Sequence, residues 1–274
     1  MEKYTELFKR PDSLETICSV AEPEDLDVLV DYITDKGKGR LSLDSAVCKQ
    51  LNAARARHQY SLADKGHIKQ EILLFGGNSI ANVSRSLLRG ISMMPLVGTS
   101  VGAALGPVSA TVEYKTVLAE VAKQVGAPFK ADESIVDIEK SLLITIFKKG
   151  FDLSSTAEKQ RVLDALGMKK MEQLSSISMF SSSFWNAAGM VIASTVANAV
   201  ANQIVGSAVA AGAMAVAGRP LVALAGPVGI AVGGLWTLAG LSSPAYRVTL
   251  PCVVQIAYMR MKYLSLANPV RVNL

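Results

Sequence analysis

The side chains that most often carry out chemistry are few in this sequence and stand far apart. It has two histidines, His58 and His67, and three cysteines, at positions 18, 48 and 252. His67 and Glu71 are one turn apart on an expected helix, but no further ligand stands at the spacing of a known metal site. The cysteines form no close-spaced pair, which favours a reducing compartment over a disulfide framework. We therefore predict neither a metal site nor a cofactor.

The motifs of the common enzyme classes are missing as well. The sequence has no phosphate-binding loop of the Gly-x-x-x-x-Gly-Lys type, and neither histidine has the surroundings expected beside a nucleophile. The pair Gly76-Gly77 lies at an expected helix junction rather than after a strand, which is not the context of a dinucleotide site. Acid pairs such as Glu24-Asp25 fall in expected first turns, where they compensate the helix dipole. We predict that the protein is not an enzyme.

Charge is distributed unevenly along the 274 residues, although the net charge is only +5. All 23 acidic residues precede position 173, where 23 of the 28 Lys and Arg residues balance them. The last third carries cations alone: Arg219, Arg247, Arg260, Lys262 and Arg271. These cations are spread thinly and lack interleaved aromatic residues, so we predict no nucleic-acid partner.

Three long stretches carry no charge: residues 90–112, 173–218 and 220–246. An apolar run of about 18–20 residues is enough to suggest a membrane span, so a lipid bilayer is the expected partner. Residues 184–246 are long enough for two helices, and we predict a hydrophobic hairpin there. Its turn is expected at Gly218, Arg219 and Pro220.

These apolar stretches are built mainly from Ala, Gly, Ser and Val. Ala is close to neutral on insertion scales and Gly is less favourable, so such a hairpin is marginal in lipid without a partner. Glycines at four-residue spacing allow helices to approach closely, and they also suggest self-association. A polar stripe at the same spacing must face a partner helix or water. The packing candidates are Gly98, Gly102, Gly106, Gly229 and Gly233, and the stripe is Ser194, Asn198 and Asn202.

The cations near the end of the chain follow apolar segments. Arg247, Arg260 and Lys262 therefore suit contact with anionic lipid headgroups, each worth about 1 kcal/mol. The alternative is that they compensate the dipoles of helix C-termini.

The elements that position these residues are predicted to be helices throughout. Apolar residues recur at helical spacing, no alternating strand pattern occurs, and Ser155 and Glu158 have the spacing of a capping box. Gly76-Gly77 is expected to end one helix, with Asn78 capping the next. We predict an all-α fold in which an amphipathic bundle surrounds the Ala/Gly-rich hairpin. The expected regions are 1–89, 90–112 (the glycine-spaced segment), 113–183, 184–246 (the hairpin) and 247–274.

Two segments resemble the signature segments of the YaaW-like family of uncharacterised bacterial proteins. They are FGGNSIAN at residues 75–82 and PAYRVTLPCVVQIAYMR at residues 244–260. The stretches 114–125 and 224–229 are also similar, so the resemblance spans most of the chain. It implies a bacterial origin but no established activity. The family-motif residues are Phe75, Gly76, Gly77, Asn78, Tyr246, Arg247, Pro251 and Gln255.

Three functions are compatible with these patterns. The first is a conditional membrane-inserting protein, similar in layout alone to pore-forming colicin domains, and at its sharpest an antibacterial effector that requires a protective, immunity-like partner. The second is a resident inner-membrane protein with two or three spans, and the third is a soluble helical interaction or chaperone-like protein. The first twenty residues contain no apolar core of a signal peptide, so we expect synthesis in the cytoplasm followed by membrane association, with possible delivery to a target cell.

Overall fold

The computed structural model describes residues 10, 12–40, 43–91, 113–165, 182–204 and 246–267. Within these ranges the backbone forms nine helices joined by turns and contains no strand, which confirms the all-α fold class. The helices are α1 (Leu14–Val20), α2 (Pro23–Thr34), α3 (Ser45–Arg57), α4 (Leu62–Ile91), α5 (Tyr114–Val125), α6 (Ile135–Leu153), α7 (Thr156–Ala165), α8 (Ser182–Ile204) and α9 (Tyr246–Ala267).

Short polar side chains define where several helices begin. Ser13 and Ser134 accept hydrogen bonds from backbone N–H groups in the first turns of α1 and α6, and Asp44 does the same for α3. The predicted capping box at α7 is confirmed, because Glu158 accepts from the backbone N–H and the hydroxyl of Ser155 while Ser155 accepts from the Glu158 N–H. These bonds satisfy N–H groups that lack a partner inside the helix.

The expected helix end at Gly76-Gly77 is wrong. α4 runs through both glycines and through Asn78, which therefore lies inside a helix rather than at its start. A Cβ atom on Gly76 would overlap the Cγ atoms of Val117 on α5. Gly76 thus allows two helices to approach closely. Glycine is also the residue that commonly ends a helix, so the sequence does not distinguish the two uses.

α9 lies at the centre of the described bundle. It packs against α1, α2, α4, α5, α6 and α8, and the remaining contacts join neighbours such as α5 with α6 and α2 with α3. We expected the hairpin of residues 184–246 at the centre. In the described residues the central position belongs instead to the helix that follows it.

The first part of the predicted hairpin forms α8, which packs against α9 and α6. Residues 205–245 lie outside the described residues, and so do residues 92–112. Among the described helices, none is both long enough and apolar enough to cross a membrane. The candidates Gly98, Gly102, Gly106, Gly218, Arg219, Pro220, Gly229 and Gly233 all lie outside the described residues.

Candidate functional site at the buried C-terminal helix

The residues of α9 are almost completely enclosed. Between Tyr246 and Tyr263 only Arg247 is exposed, and every other residue is buried. Pro251 lies inside the helix and cannot donate a hydrogen bond to the carbonyl oxygen one turn before it. The helix nevertheless continues to Ala267, held on several sides by its neighbours.

A buried ion pair joins α9 to α6 and α5. Arg260 Nε donates to Glu139 Oε2 over 2.6 Å, and both side chains have no exposed area. The Tyr114 hydroxyl donates to the other carboxylate oxygen, Oε1, at 2.9 Å. One carboxylate therefore links three helices far from solvent, where each of these bonds is electrostatically strong.

Burial opposes the ionisation of this carboxylate. It raises the pKa of Glu139 above its usual value, although the charge and hydrogen bond of Arg260 act to lower it. Burial would lower the pKa of Arg260, but the charge and hydrogen bond of Glu139 outweigh it and raise that pKa. Arg260 keeps its proton, and a neutral Glu139 would leave this buried cation uncompensated, which favours the ionised pair.

A second ionic cluster holds the end of α9 against α2. Lys262 Nζ donates to Asp25 Oδ2 at 2.8 Å and to Glu22 Oε2 at 2.9 Å. The Tyr263 hydroxyl donates to Asp25 Oδ2 and accepts from the Glu22 N–H at 2.8 Å. Burial would lower the pKa of Lys262, but Asp25 and Glu22 raise it, so this side chain is held as a cation.

A third polar cluster, nearer the surface, joins α3 to α2. Asp27 Oδ2 lies 2.6 Å from His58 Nδ1, and the Tyr60 hydroxyl donates to Asp27 Oδ1 at 2.6 Å. One turn further along α2, Asp31 forms an ion pair with Arg55, with Oδ1 and Nε 2.6 Å apart. In the described part of the chain, no three His, Cys, Asp or Glu residues are grouped to hold a metal ion. The cluster is accounted for as a cross-link between two helices.

Several bacterial relatives match the chain. A UPF0174 protein of Helicobacter pylori strain J99 is 30% identical over 156 residues, which cover 55% of this chain and 62% of the relative, less than two thirds of its length. Another UPF0174 protein, from H. pylori strain 26695, is 25% identical over 76% of this chain and 92% of its own. UPF0174 protein YaaW of Escherichia coli K12 is 27% identical over 82% of this chain and 83% of its own.

The resemblance to the YaaW-like family is confirmed. The names of these YaaW-like relatives state no activity. No protein-family profile matches the chain, and no solved structure does.

The motif residues that carry the resemblance lie on α9 and on α4 beside it. Tyr246 donates to Glu120 Oε1 at 3.3 Å, and Gln255 Nε2 lies 3.5 Å from the carbonyl oxygen of Asp25. Phe75 is buried in the core, and Gly76 allows the contact with α5. One motif thus supplies most of the central helix, and the other supplies the middle of α4, which packs on it.

The three predicted lipid-contacting cations have different surroundings in the fold. Arg247 is exposed, so a role at a headgroup stays a prediction for it. Arg260 and Lys262 are not available in this arrangement, because carboxylates from α6, α2 and the preceding turn already hold them. The alternative of dipole compensation does not describe them either, since their partners are side chains of other elements.

The predicted polar stripe lies on α8. Ser194 is buried and donates to the Met190 carbonyl oxygen within its own helix, at 2.7 Å. Asn198 is also buried, and Asn202 is half-buried; their Oδ1 atoms are enclosed, and neither accepts a hydrogen bond in the described structure. A buried acceptor without a donor is costly, so the two amide oxygens of the stripe weaken the packing of α8.

The residues that hold α9 were not predicted from the sequence. Asp25 was assigned to the dipole of α2, and Glu139, Glu22 and Tyr114 were given no role at a site. A signal was present, because Glu139 shares the inward face of α6 with Ile135, Ile138 and Leu142. The acid-free last third was another, since buried cations there require counter-ions from elsewhere in the chain.

Proposed function

We propose that this YaaW-like protein is a conditional membrane-inserting protein. In the stored form, α9 and α6 pack against α8, the start of the apolar segment. Release then delivers residues 184–246 to a lipid bilayer, where they form the hairpin. In its sharpest form the proposal describes an antibacterial, membrane-permeabilising effector with a protective partner protein in the producing cell.

The packing of α8 is the observation that supports this proposal. α8 carries no charged residue, and the positions described between Ala188 and Ala201 are buried or half-buried. Its chain continues into residues 205–245, in which Arg219 is the only charged residue. An uncharged segment that begins inside a helical casing is what conditional insertion requires, because exposure of such a segment to water is unfavourable.

The composition of the segment favours reversibility. Helices of Ala and Val bury less apolar area per residue than helices of Leu or Phe, so the free energy that holds them in place is smaller. The unsatisfied Oδ1 atom of Asn198 weakens the stored packing further. In lipid, Asn198 and Asn202 would find partners on a second helix, which is the usual role of amides in membrane bundles.

Dye release from vesicles tests the proposal. Purified protein is added to vesicles of phosphatidylcholine alone and of phosphatidylcholine mixed with phosphatidylglycerol, each loaded with a self-quenching dye. We expect release that increases with the anionic fraction. The proposal is wrong if no vesicle leaks at any pH from acidic to neutral.

A matched pair of variants makes the test specific. Gly233→Leu adds bulk to the glycine-spaced segment and should reduce release, because close helix approach is lost. Gly66→Leu adds the same bulk on the exposed side of α4, where nothing lies within 4 Å, and should release dye like the parent. Equal release from both variants would show that the glycine spacing is incidental.

Fractionation separates the two other functions. A resident inner-membrane protein stays in the membrane pellet after a carbonate wash and needs detergent. A helical interaction or chaperone-like protein is monodisperse without detergent and does not bind vesicles. Inducible expression in bacteria with and without periplasmic targeting, while membrane potential is monitored, then tests toxicity and the side from which it acts.

A further inference from the structure

The two buried cations of α9 take their counter-ions from distant, earlier parts of the chain. Arg260 pairs with Glu139 on α6, and Lys262 pairs with Asp25 on α2 and with Glu22 just before it. The sequence after residue 172 contains no acid that could replace these partners. Any movement that separates α9 from α2 and α6 therefore removes the counter-ions of both cations together.

These cations also lie close to the segment that is proposed to insert. α9 begins at Tyr246, where the apolar segment ends, and Arg260 lies 14 residues further on. At 1.5 Å per residue, about 21 Å of helix separate Arg260 from the end of that segment. Insertion of residues 184–246 thus brings α9 to the bilayer surface, where anionic headgroups are concentrated.

Lipid phosphate has the chemistry of the carboxylates that would be lost. The planar guanidinium of Arg260 matches two oxygens of a phosphate as it matches a carboxylate, and Lys262 offers a compact charge with three donors. Leaving either cation without a counter-ion in a low-dielectric environment is unfavourable. A phosphodiester at the membrane surface removes that cost.

We propose that anionic lipid headgroups replace Glu139, Asp25 and Glu22 as the counter-ions of Arg260 and Lys262 when α9 leaves the bundle. This inference rests on the proposed function, which it deepens by naming the lipid class and the residues that select it. The carboxylates and the headgroups compete for the same two cations. Anionic lipid is then both the target of the released form and the agent that favours release.

Two substitutions at one contact test this exchange. Asp25→Asn removes one of the two carboxylates that hold Lys262 and leaves Glu22 as the other. Lys262→Gln removes the cation and leaves Asp25 in place. Both break the same ion pair, so both should lower the melting temperature. This shared effect is the control for a purely structural role of the contact.

The readout is the preference for anionic vesicles, measured by flotation as the ratio of affinities for phosphatidylglycerol and phosphatidylcholine vesicles. Lys262→Gln should lower this ratio about fivefold, which corresponds to the loss of one headgroup contact of about 1 kcal/mol. Asp25→Asn should keep or raise the ratio. The exchange is overturned if both variants change the ratio in the same direction.

A free phosphate ion offers the same oxygens as a headgroup, and one further arm separates the two sources. Inorganic phosphate is added to phosphatidylcholine vesicles, with potassium chloride at equal ionic strength as the reference. We expect no gain in vesicle binding, and a gain would overturn the assignment to headgroups. If the parent and both variants bind no vesicle of any composition, the proposed function itself fails.

The core pair supplies a second, stronger version of the same comparison. Glu139→Gln and Arg260→Gln break the buried contact from its two ends. If they fold, Glu139→Gln should keep or raise the ratio, as Asp25→Asn does, and Arg260→Gln should lower it, as Lys262→Gln does. If both fail to fold, the Asp25 and Lys262 variants decide the question alone.

Discussion

α8 and α9 pack against each other, but different kinds of contact hold them in the bundle. α8 has no charged side chain, and its buried apolar residues are mostly Ala and Val, with Trp185 and Ile192. α9 carries Arg260 and Lys262, and yet it lies at the centre of the described fold. The more polar helix is thus the more enclosed one.

The difference lies in ion pairs rather than in the satisfaction of every polar atom. Each buried cation of α9 has a carboxylate partner on another helix or at Glu22, just before α2. Among the described residues, the Tyr258 hydroxyl on α9 and the Oδ1 atom of Asn198 on α8 are both buried without a hydrogen-bond partner. A buried charge is tolerated where tertiary contacts supply its counter-ion. A helix without charges can still bury polar atoms that lack a hydrogen-bond partner. Ion pairs and apolar packing therefore both hold α9, whereas α8 depends on packing without ion pairs.

The largest test of this contrast is Glu139→Gln. It removes the buried carboxylate to which Arg260 Nε donates, so we expect the free energy of unfolding to fall by about 3–5 kcal/mol. Denaturant unfolding measures this. The triple variant Tyr114→Phe, Glu139→Leu, Arg260→Met replaces the network with apolar groups and should recover most of the loss. A Glu139→Gln protein as stable as the parent would show that the ion pair does not hold α9 in the bundle.

The close apolar contact is the next largest effect, and α4 offers a matched pair of glycines for it. Gly76→Ala places a methyl group against Val117 on α5 and should cost about 1–3 kcal/mol. Gly66→Ala meets open space on the same helix and should gain about 0.5–1 kcal/mol. Melting temperatures of the two variants give the comparison directly. Equal shifts would mean that α4 and α5 separate without cost.

Asn198→Leu tests the weaker packing of α8. It removes a buried acceptor that lacks a donor, so we expect the unfolding free energy to stay level or to rise by about 1 kcal/mol. If Asn198→Leu stabilises the protein while Glu139→Gln destabilises it, the contrast between the two helices becomes sharper. A loss above about 1 kcal/mol would instead show that the amide has a partner in the fold.

The smallest effect concerns the reactivity of thiols. Cys252 on α9 and Cys18 on α1 are buried, and burial raises the pKa of Cys18 to about 12 and that of Cys252 well above its usual value. Neither thiol should react with a disulfide reagent near neutral pH until the protein opens, because the thiolate is the reactive form. Glu139→Gln should speed the labelling of Cys252. Rapid labelling of Cys252 in the parent would mean that α9 opens freely.

Local patterns predicted the helices well because their causes are local. Apolar residues at helical spacing and capping residues such as Ser155 with Glu158 act within a few positions of one another. The error at Gly76-Gly77 has the opposite origin. A glycine that ends a helix and a glycine that admits a neighbouring helix look the same in the sequence, and Val117 lies 41 positions away from Gly76.

The candidate site depended on contacts that are more remote still. The sequence indicated that the segment forming α9 is apolar and basic, and that every acid lies before position 173. Which acid meets which cation was beyond reach, since Glu139 and Arg260 are 121 positions apart. The same holds for Asp25 and Lys262, 237 positions apart.

By itself, the sequence determined the helical class, the long uncharged segments and the confinement of all acids to the first 172 residues. Only the tertiary structure decided that α9 is the central helix and that its cations are neutralised from α2, α6 and the turn before α2. The physical reason is that helix formation depends on neighbours a turn away, whereas the burial of a charge depends on a counter-ion that only the completed fold brings near.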